Sequence, residues 1–147
     1  MRISYSSLET YKSCPLKYKF QEIDKIPTPK SKEAVFGTII HSTMKFIHTP
    51  SLLPPALEQA LGFFSNIWNG SMFENEDEER SVFSQGVKII QEYYGKNNIA
   101  SANIIDLESY FQIEIVKEGD KHIISGRIDR IDKTDTGYEV IDYKTTK

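Results

Sequence analysis

The sequence predicts an α+β domain in which a helical N-terminal part packs on a small, largely antiparallel sheet. Apolar residues recur at helical spacing up to about residue 100, and from residue 103 they alternate with polar residues as in half-buried strands. Helices and strands that occupy separate stretches are typical of this class. We therefore expect one domain over residues 1–147, mainly helical over 1–100, with a sheet over 103–147 that ends in a hairpin.

Composition excludes several classes of protein. The 147 residues are 39 % hydrophobic and 12 % aromatic, which is enough for a core. No stretch approaches the roughly 18 apolar residues of a membrane span, and the first ten residues lack the apolar region of a signal peptide. The single cysteine, Cys14, excludes an internal disulfide framework, predicts a cytoplasmic location and is expected to be buried. A net charge of −3 argues against indiscriminate nucleic-acid binding.

Two short helices are predicted at the N-terminus. Ser6 and Glu9 have the spacing of a capping box, so a helix should begin there. Pro15 suits the first turn of a second helix. The prolines within 27–31 then mark a linker. The apolar positions of the second helix, Leu16, Phe20 and Ile23, are spaced as one face.

Three longer helices should follow. Residues 32–48 are predominantly apolar and predict a largely buried helix. Two further helices are expected at about 55–68 and 78–95, with Gly95 as the C-terminal stop of the last one. The acidic run at 74–80 is typical of a solvated loop or of a helix start.

The C-terminal third predicts three strands. Leu107, Ser109, Phe111, Ile113 and Ile115 alternate with polar or charged residues, as in a half-buried strand, and the sequence Glu-Gly-Asp at 118–120 predicts a turn. Strands should follow at 122–132 and 138–145, with 133–137 as the hairpin loop between them.

The last hairpin carries the strongest chemical signal. Asp142 and Lys144 are two residues apart, so in a strand they share a face, about 7 Å apart. If Lys133 pairs with Tyr138, then Asp129 lies opposite Asp142, with Cβ atoms roughly 5 Å apart. Two carboxylates that close repel each other unless a cation lies between them or one is protonated.

A hard divalent cation would satisfy this pair. Carboxylate oxygens suit Mg²⁺ or Mn²⁺, and the shell can be completed by waters and a substrate phosphate. Lys144 could orient or deprotonate a water, or neutralise phosphate charge, which suits phosphodiester hydrolysis. The alternative is a solvated surface ion pair, since Asp-x-Lys is common on strands. The apolar residues that flank both acids favour the functional interpretation.

The sequence has three histidines. His41 lies within the apolar helix of residues 36–46 and is either a ligand candidate or a core histidine satisfied by one hydrogen bond. His48 is interpreted as a residue of the helix C-terminal turn. His122 opens a strand and has no visible partner.

Four segments in order resemble a known family. They are ISYSSLETYKSCPLKYKF (3–20), FGTIIH (36–41), GRIDRID (126–132) and VIDYKTTK (140–147). Together they are similar to the RecB-like branch of the PD-(D/E)xK nuclease superfamily, with the greatest likeness to the C-terminal nuclease domain of UvrD/Rep-type helicases and to AddB-like exonucleases. The resemblance implies a restriction-endonuclease-like core.

The resemblance assigns roles at matching positions. His41, Asp129 and Asp142 would bind the metal, Mg²⁺ or Mn²⁺, together with the backbone carbonyl of Tyr143. Asp129, Asp142 and Lys144 would form the catalytic set.

The resemblance also bears on one further residue and on two features of the family that the sequence does not match. Glu108 lies where relatives often carry a glutamate, and an exposed strand glutamate is the alternative. Cys14 matches the first of four cluster cysteines in some relatives, but no others exist here, so no iron–sulfur cluster can form in this chain alone. The helix that follows the Asp-x-Lys strand in the family is missing, so we expect an incomplete fragment of a longer protein, weakly active or inactive by itself.

The resemblance implies a metal-dependent DNA nuclease of repair or recombination. The expected partners are DNA and a helicase module in the same or another chain, and no membrane. Two alternatives stay open: a non-catalytic DNA-binding or scaffolding domain of a repair complex, and an unrelated interaction module in which the Asp-x-Lys match is accidental.

Overall fold

A computed structural model of the protein describes residues 2–145 and confirms the α+β class. Thr146 and Lys147, the end of the last motif segment, lie outside the described residues. Between residues 2 and 145 the chain forms a strand, then five α-helices, then three strands. The helices are α1 (Tyr5–Ser13), α2 (Pro15–Tyr18), α3 (Lys32–His48), α4 (Leu57–Ile67) and α5 (Glu76–Lys96); the strands are β1 (Arg2–Ser4), β2 (Ile104–Lys117), β3 (Asp120–Lys133) and β4 (Tyr138–Ile141).

The four strands form one mixed sheet. Its order is β1-β3-β2, and β4 also pairs with β3. Strand β1 pairs in parallel with β3, from Arg2 opposite Ile123 to Ser4 opposite Ser125. No strand was predicted at residues 2–4, because three residues are too few for a periodic signal. Strands β2 and β3 join through Glu118 and Gly119, both at positive φ (54° and 86°), as in the tightest hairpin turns.

The described chain divides into two compact units. One unit comprises Met1–Pro29 and Glu108–Ile128, and the other comprises Lys30–Leu107 and Asp129–Lys147. Each unit therefore combines helices with part of the sheet.

In the first unit, the N-cap of α1 lies two residues before the predicted cap. Ser4 is the N-cap: the Ser7 backbone N–H donates to Ser4 Oγ at 3.1 Å, and the Ser4 backbone N–H donates to Ser7 Oγ at 2.9 Å. The predicted Ser6–Glu9 box is therefore wrong, because the reciprocal bonds form between two serines of the same run. Glu9 instead pairs with Lys12 at 3.1 Å.

The second predicted helix is only partly confirmed. Pro15 does begin α2, but after Tyr18 the backbone continues as a π-helical turn over Lys19–Ile23. That wider turn breaks the α-helical spacing on which the predicted common face depends. Cys14 is also exposed rather than buried, and its Sγ accepts a bond from the Lys17 N–H at 3.5 Å. The residues of the predicted face are all exposed: Leu16, Phe20 and Ile23.

In the hairpin of this unit, the ring of Phe111 packs against the backbone at Gly126. A Cβ at Gly126 would lie 2.7 Å from ring carbons of Phe111. Only glycine lets that ring lie over the β3 backbone without a shift.

The second unit holds the described hydrophobic core, formed mainly by α3, α4 and α5. All three predicted helices are confirmed, and the acidic run proves to be the start of α5, capped by Asn75. The predicted stop at Gly95 is wrong by one residue, since α5 ends at Lys96 and Asn97 caps it. A Cβ at Gly86 would lie 2.4 Å from Phe64, so α5 approaches α4 closely there. The buried core residues are Phe36, Ile39, Ile40, Met44, Ile47, Ala60, Phe64 and Ile90.

The β3–β4 hairpin has the predicted register. Lys133 pairs with Tyr138 and Arg130 pairs with Ile141. Strand β4 ends at Ile141, so the predicted strand to residue 145 is too long. Within residues 2–145, no helix has both the length and the apolar character needed to cross a membrane.

Candidate active site

In the second unit, α3 and β3 bring two predicted site residues together. The Nδ1 atom of His41 lies 3.2 Å from Oδ1 of Asp129. The Asp129 side chain is only 11 % exposed and that of His41 is 32 % exposed. A shielded carboxylate requires a partner, and the imidazole of His41 is one such partner of Asp129.

The other oxygen of Asp129 holds the Asp-x-Lys segment. The Tyr143 backbone N–H donates to Asp129 Oδ2 at 2.8 Å. The Tyr143 ring also lies edge-on to the His41 ring, with centroids 6.1 Å apart. Asp129 is thus the residue that joins α3, β3 and the segment after β4.

Asp142 and Lys144 form a pair of their own. Lys144 Nζ lies 2.6 Å from Asp142 Oδ2, and both side chains are more than half exposed. The two side chains therefore lie on the same side of the segment, as their spacing predicts. The metal-binding roles of Asp142 and of the Tyr143 carbonyl remain predictions.

A cavity of about 290 Å³ adjoins this segment in the second unit. The C-terminal half of α5 forms its other wall. Acidic and basic side chains both line the space beside the Asp-x-Lys residues. Its polar lining comprises Glu92, Tyr93, Lys96, Asn97, Asp142 and Lys144.

A buried polar cluster beneath the segment was not predicted. Arg130 and Asp132 are each 7 % exposed and His48 is 3 % exposed. His48 does lie in the last turn of α3, as predicted, but its side chain is buried and does not face solvent. The only sequence signal was the spacing of Arg130 and Asp132, which places them on one face of a strand without showing whether that face is buried.

The cluster holds His48 in its neutral form. Burial first, and the Arg130 guanidinium second, lower the pKa of His48 from 6.5 to about 4. Burial opposes the charge on Arg130, yet its hydrogen bonds to Asp132 keep its pKa above the usual value. A guanidinium can only donate hydrogen bonds, and a neutral imidazole has one nitrogen that accepts. The charged Arg130 is therefore compatible with an uncharged His48 beside it.

Glu108 lies in the first unit and has an unusual backbone. Its φ is +57°, a left-handed conformation within β2. Its carboxylate pairs with Arg127 at 3.2 Å. Such outliers within strands are characteristic of bulges and are enriched at functional sites. Whether Glu108 corresponds to the glutamate that relatives often carry at this point remains a prediction.

The fold and the donor groups define the class of protein. An α+β core with an acidic residue on one hairpin strand and an Asp-x-Lys segment after the other is consistent with a restriction-endonuclease-like fold. A family model described as the PD-(D/E)XK nuclease superfamily matches residues 2–147. The chain therefore belongs to the PD-(D/E)XK nuclease superfamily. No curated protein sequence matches the chain significantly.

Membership indicates metal-dependent nuclease chemistry. The sequence has an Asp-x-Lys spacing at Asp142 and Lys144, and their catalytic roles remain predictions. The geometry adds that Asp129 contacts both the helix histidine and the backbone of that segment. The His41 and Asp129 donor atoms lie 3.2 Å apart, a spacing at which a ring nitrogen and a carboxylate oxygen can bind one divalent cation.

Proposed function

We propose that this chain is the nuclease domain of a DNA repair or recombination enzyme and hydrolyses DNA phosphodiester bonds with Mg²⁺ or Mn²⁺. One observation carries the proposal: in a chain of this superfamily, the two carboxylate oxygens of Asp129 contact His41 and the backbone of Tyr143. That pairing places a nitrogen and an oxygen donor next to the Asp-x-Lys residues.

The donor groups fit such a cation. Two neighbouring ligands in an octahedral shell with bonds of about 2.1 Å lie roughly 3 Å apart. The His41 Nδ1 and Asp129 Oδ1 atoms are 3.2 Å apart, so both could bind one ion with little movement. Asp142 is the proposed third side-chain ligand and the Tyr143 carbonyl the fourth donor. An imidazole among carboxylates suits Mn²⁺ better than Mg²⁺.

The side chains have distinct proposed roles. A bound divalent ion would polarise the phosphate and lower the pKa of an attacking water. Asp129 and Asp142 together balance the positive charge of the ion, and Asp129 also orients His41. Lys144 is close enough to Asp142, at 2.6 Å, for its amine to act at the same phosphate, where it would balance negative charge in the transition state.

The wider context is also proposed. The four sequence blocks favour the RecB-like branch of the superfamily, in which the nuclease works with a helicase module on DNA. We therefore propose DNA as the substrate and a helicase as the functional partner. Parallel assays of DNA and RNA of one sequence would test the substrate, since equal cleavage of both would contradict a dedicated deoxyribonuclease.

The direct test compares variants of the Asp-x-Lys residues in this protein. We expect Asp142→Asn and Lys144→Ala to lower Mn²⁺-dependent DNA cleavage by about 10²-fold or more, because each removes charge at the reacting phosphate. Matched controls are Asp135→Asn and Lys88→Ala, which remove the same charges at exposed positions of the same unit. Undiminished cleavage by Asp142→Asn would contradict the assignment.

Metal binding can be measured without cleavage. Ion that binds the native state raises the melting temperature, and at 100 times its Kd it contributes about 2.7 kcal/mol. We expect Mn²⁺ to stabilise the wild-type chain and to stabilise His41→Ala and Asp129→Asn much less. Stabilisation without cleavage would favour the scaffolding alternative with a silent site.

A further inference from the structure

The second unit buries a cation, an anion and an imidazole side by side beneath the Asp-x-Lys segment. Arg130 and Asp132 are 7 % exposed, and His48 is 3 % exposed. Burial of such groups is costly unless each is paired, so the cluster must be fully connected to be tolerated. The superfamily chemistry described above does not use any of these three side chains.

The guanidinium of Arg130 organises the cluster. Its Nε and Nη2 atoms donate to the two carboxylate oxygens of Asp132, the first at 2.6 Å. Its Nη1 atom lies 2.8 Å from His48 Nε2 and 3.1 Å from the Tyr93 hydroxyl. Since the guanidinium only donates, the facing nitrogen of His48 must accept, and the ring is uncharged. The hydroxyl of Tyr93 also lies 2.6 Å from His48 Nε2.

Tyr93 connects this cluster to the Asp-x-Lys segment. Its ring lies edge-on to the ring of Tyr143, with centroids 6.0 Å apart and planes at 80°. The Tyr143 hydroxyl is buried beside Tyr93 and Arg130: burial first, and Tyr93 second, raise the pKa of that phenol. The backbone N–H of Tyr143 is held separately by Asp129 at 2.8 Å.

Tyr143 is the middle residue of the Asp-x-Lys triplet, so its position determines where its neighbours point. Its ring is fixed by Tyr93 and its amide by Asp129, and Arg130 follows Asp129 directly in the chain. A ring and an amide held from two sides leave the segment little freedom to rotate, although β4 has already ended at Ile141. Pre-organisation of this kind is what catalytic groups on irregular segments need.

We propose that Arg130, His48 and Tyr93 are positioning residues that fix Tyr143 and thereby orient Asp142 and Lys144 for catalysis. The catalytic part of this proposal rests on the proposed nuclease function. The positioning part concerns only the geometry of the second unit and can be tested without metal or DNA.

The experiment compares two substitutions of one residue. His48→Gln keeps an acceptor for Arg130, whereas His48→Leu removes it and leaves buried donors unpaired. The first readout is NMR hydrogen exchange of the Tyr143 amide, with the Ile90 amide in the buried part of α5 as the internal reference. The second readout is the Mn²⁺ dissociation constant of the folded protein, and the third is kcat for DNA cleavage.

We expect His48→Leu to speed exchange at Tyr143 about tenfold more than at Ile90, because the change is local. Its Mn²⁺ affinity and kcat should each fall about tenfold, while KM for DNA stays near the wild-type value. His48→Gln should stay within about threefold of wild type in all readouts, which is rescue by a conservative side chain.

Equal acceleration at Tyr143 and Ile90, with unchanged Mn²⁺ affinity per folded molecule, would overturn the proposal and leave the cluster with a stabilising role only. If His48→Leu does not fold, Tyr93→Phe decides instead. It removes one hydroxyl and keeps the ring, and preferential exchange at Tyr143 is again the expected result. A wild-type chain that neither binds Mn²⁺ nor cleaves DNA would reject the proposed function alone, since the exchange comparison still decides the positioning.

Discussion

Acid should destabilise this protein through one buried histidine, and the size of the effect follows from the structure. Burial and the Arg130 guanidinium lower the pKa of His48 from 6.5 to about 4 in the folded state. In the unfolded chain the imidazole regains an ordinary pKa of about 6.5. Between these two values the unfolded state binds one more proton, so the free energy of unfolding falls as the pH falls.

The magnitude is set by the separation of the two pKa values. The contribution is fully present above about pH 6.5 and is lost as the pH falls toward 4, at up to about 1.4 kcal/mol per pH unit. The total loss is therefore about 3 kcal/mol. Because His48 is only 3 % exposed, little solvent screening reduces this value. Against a typical domain stability of about 5–15 kcal/mol, such a loss is large.

The assay is urea unfolding of wild type and His48→Gln from pH 4 to 8, followed by the fluorescence of Trp68. Glutamine offers an acceptor to Arg130 and does not titrate, so the carboxylates that both proteins share cancel in the difference. The stability of wild type relative to the variant should be constant above pH 7 and fall by about 3 kcal/mol by pH 4. A difference that stays flat across this range would refute the assignment of a neutral, buried His48.

Two further predictions concern α5. Gly86→Ala should destabilise the protein by about 1–3 kcal/mol in urea unfolding, because its Cβ would lie 2.4 Å from Phe64. The control is Gly62→Ala, whose Cβ would meet nothing within 4 Å and which should be neutral or stabilising. Equal losses of stability in the two variants would contradict the close approach of α5 to α4. Asn75→Ala should cost about 1 kcal/mol of stability, since the Asn75 side chain accepts the Asp77 N–H at 2.8 Å. Asn75→Asp should retain most of that stability, and a loss as large as that of alanine would argue against the cap.

The sequence identified the candidate site residues but not all of the contacts between them. His41, Asp129, Asp142 and Lys144 all lie in motif segments, and His41 and Asp129 do meet in the structure at 3.2 Å. The sequence analysis gave a role only to the backbone carbonyl of Tyr143. The hydrogen bond from the Tyr143 amide to Asp129 was not predicted, because it joins residues 14 positions apart in the chain.

The buried cluster illustrates what sequence reasoning missed and why. Arg130 contacts His48 across 82 residues and Tyr93 across 37 residues of chain. No local pattern records such a contact. A strand that alternates charged and apolar residues has the same appearance whether its charges face solvent or a buried partner.

The sequence by itself determined the features that depend on near neighbours in the chain. The helix over residues 32–48, the start of α5 in the acidic run and the register of Lys133 with Tyr138 all follow from periodicity, caps and turn residues. These signals act over a few residues and need no knowledge of the rest of the fold.

Only the tertiary structure decided which side chains are shielded from water. It exposed Cys14 and Leu16, buried His48 and Arg130, and paired Asp142 with Lys144. The physical reason is that burial and pairing depend on which distant segments pack together. The free energy of a charge or an apolar group is set by that packing and not by its neighbours in the chain.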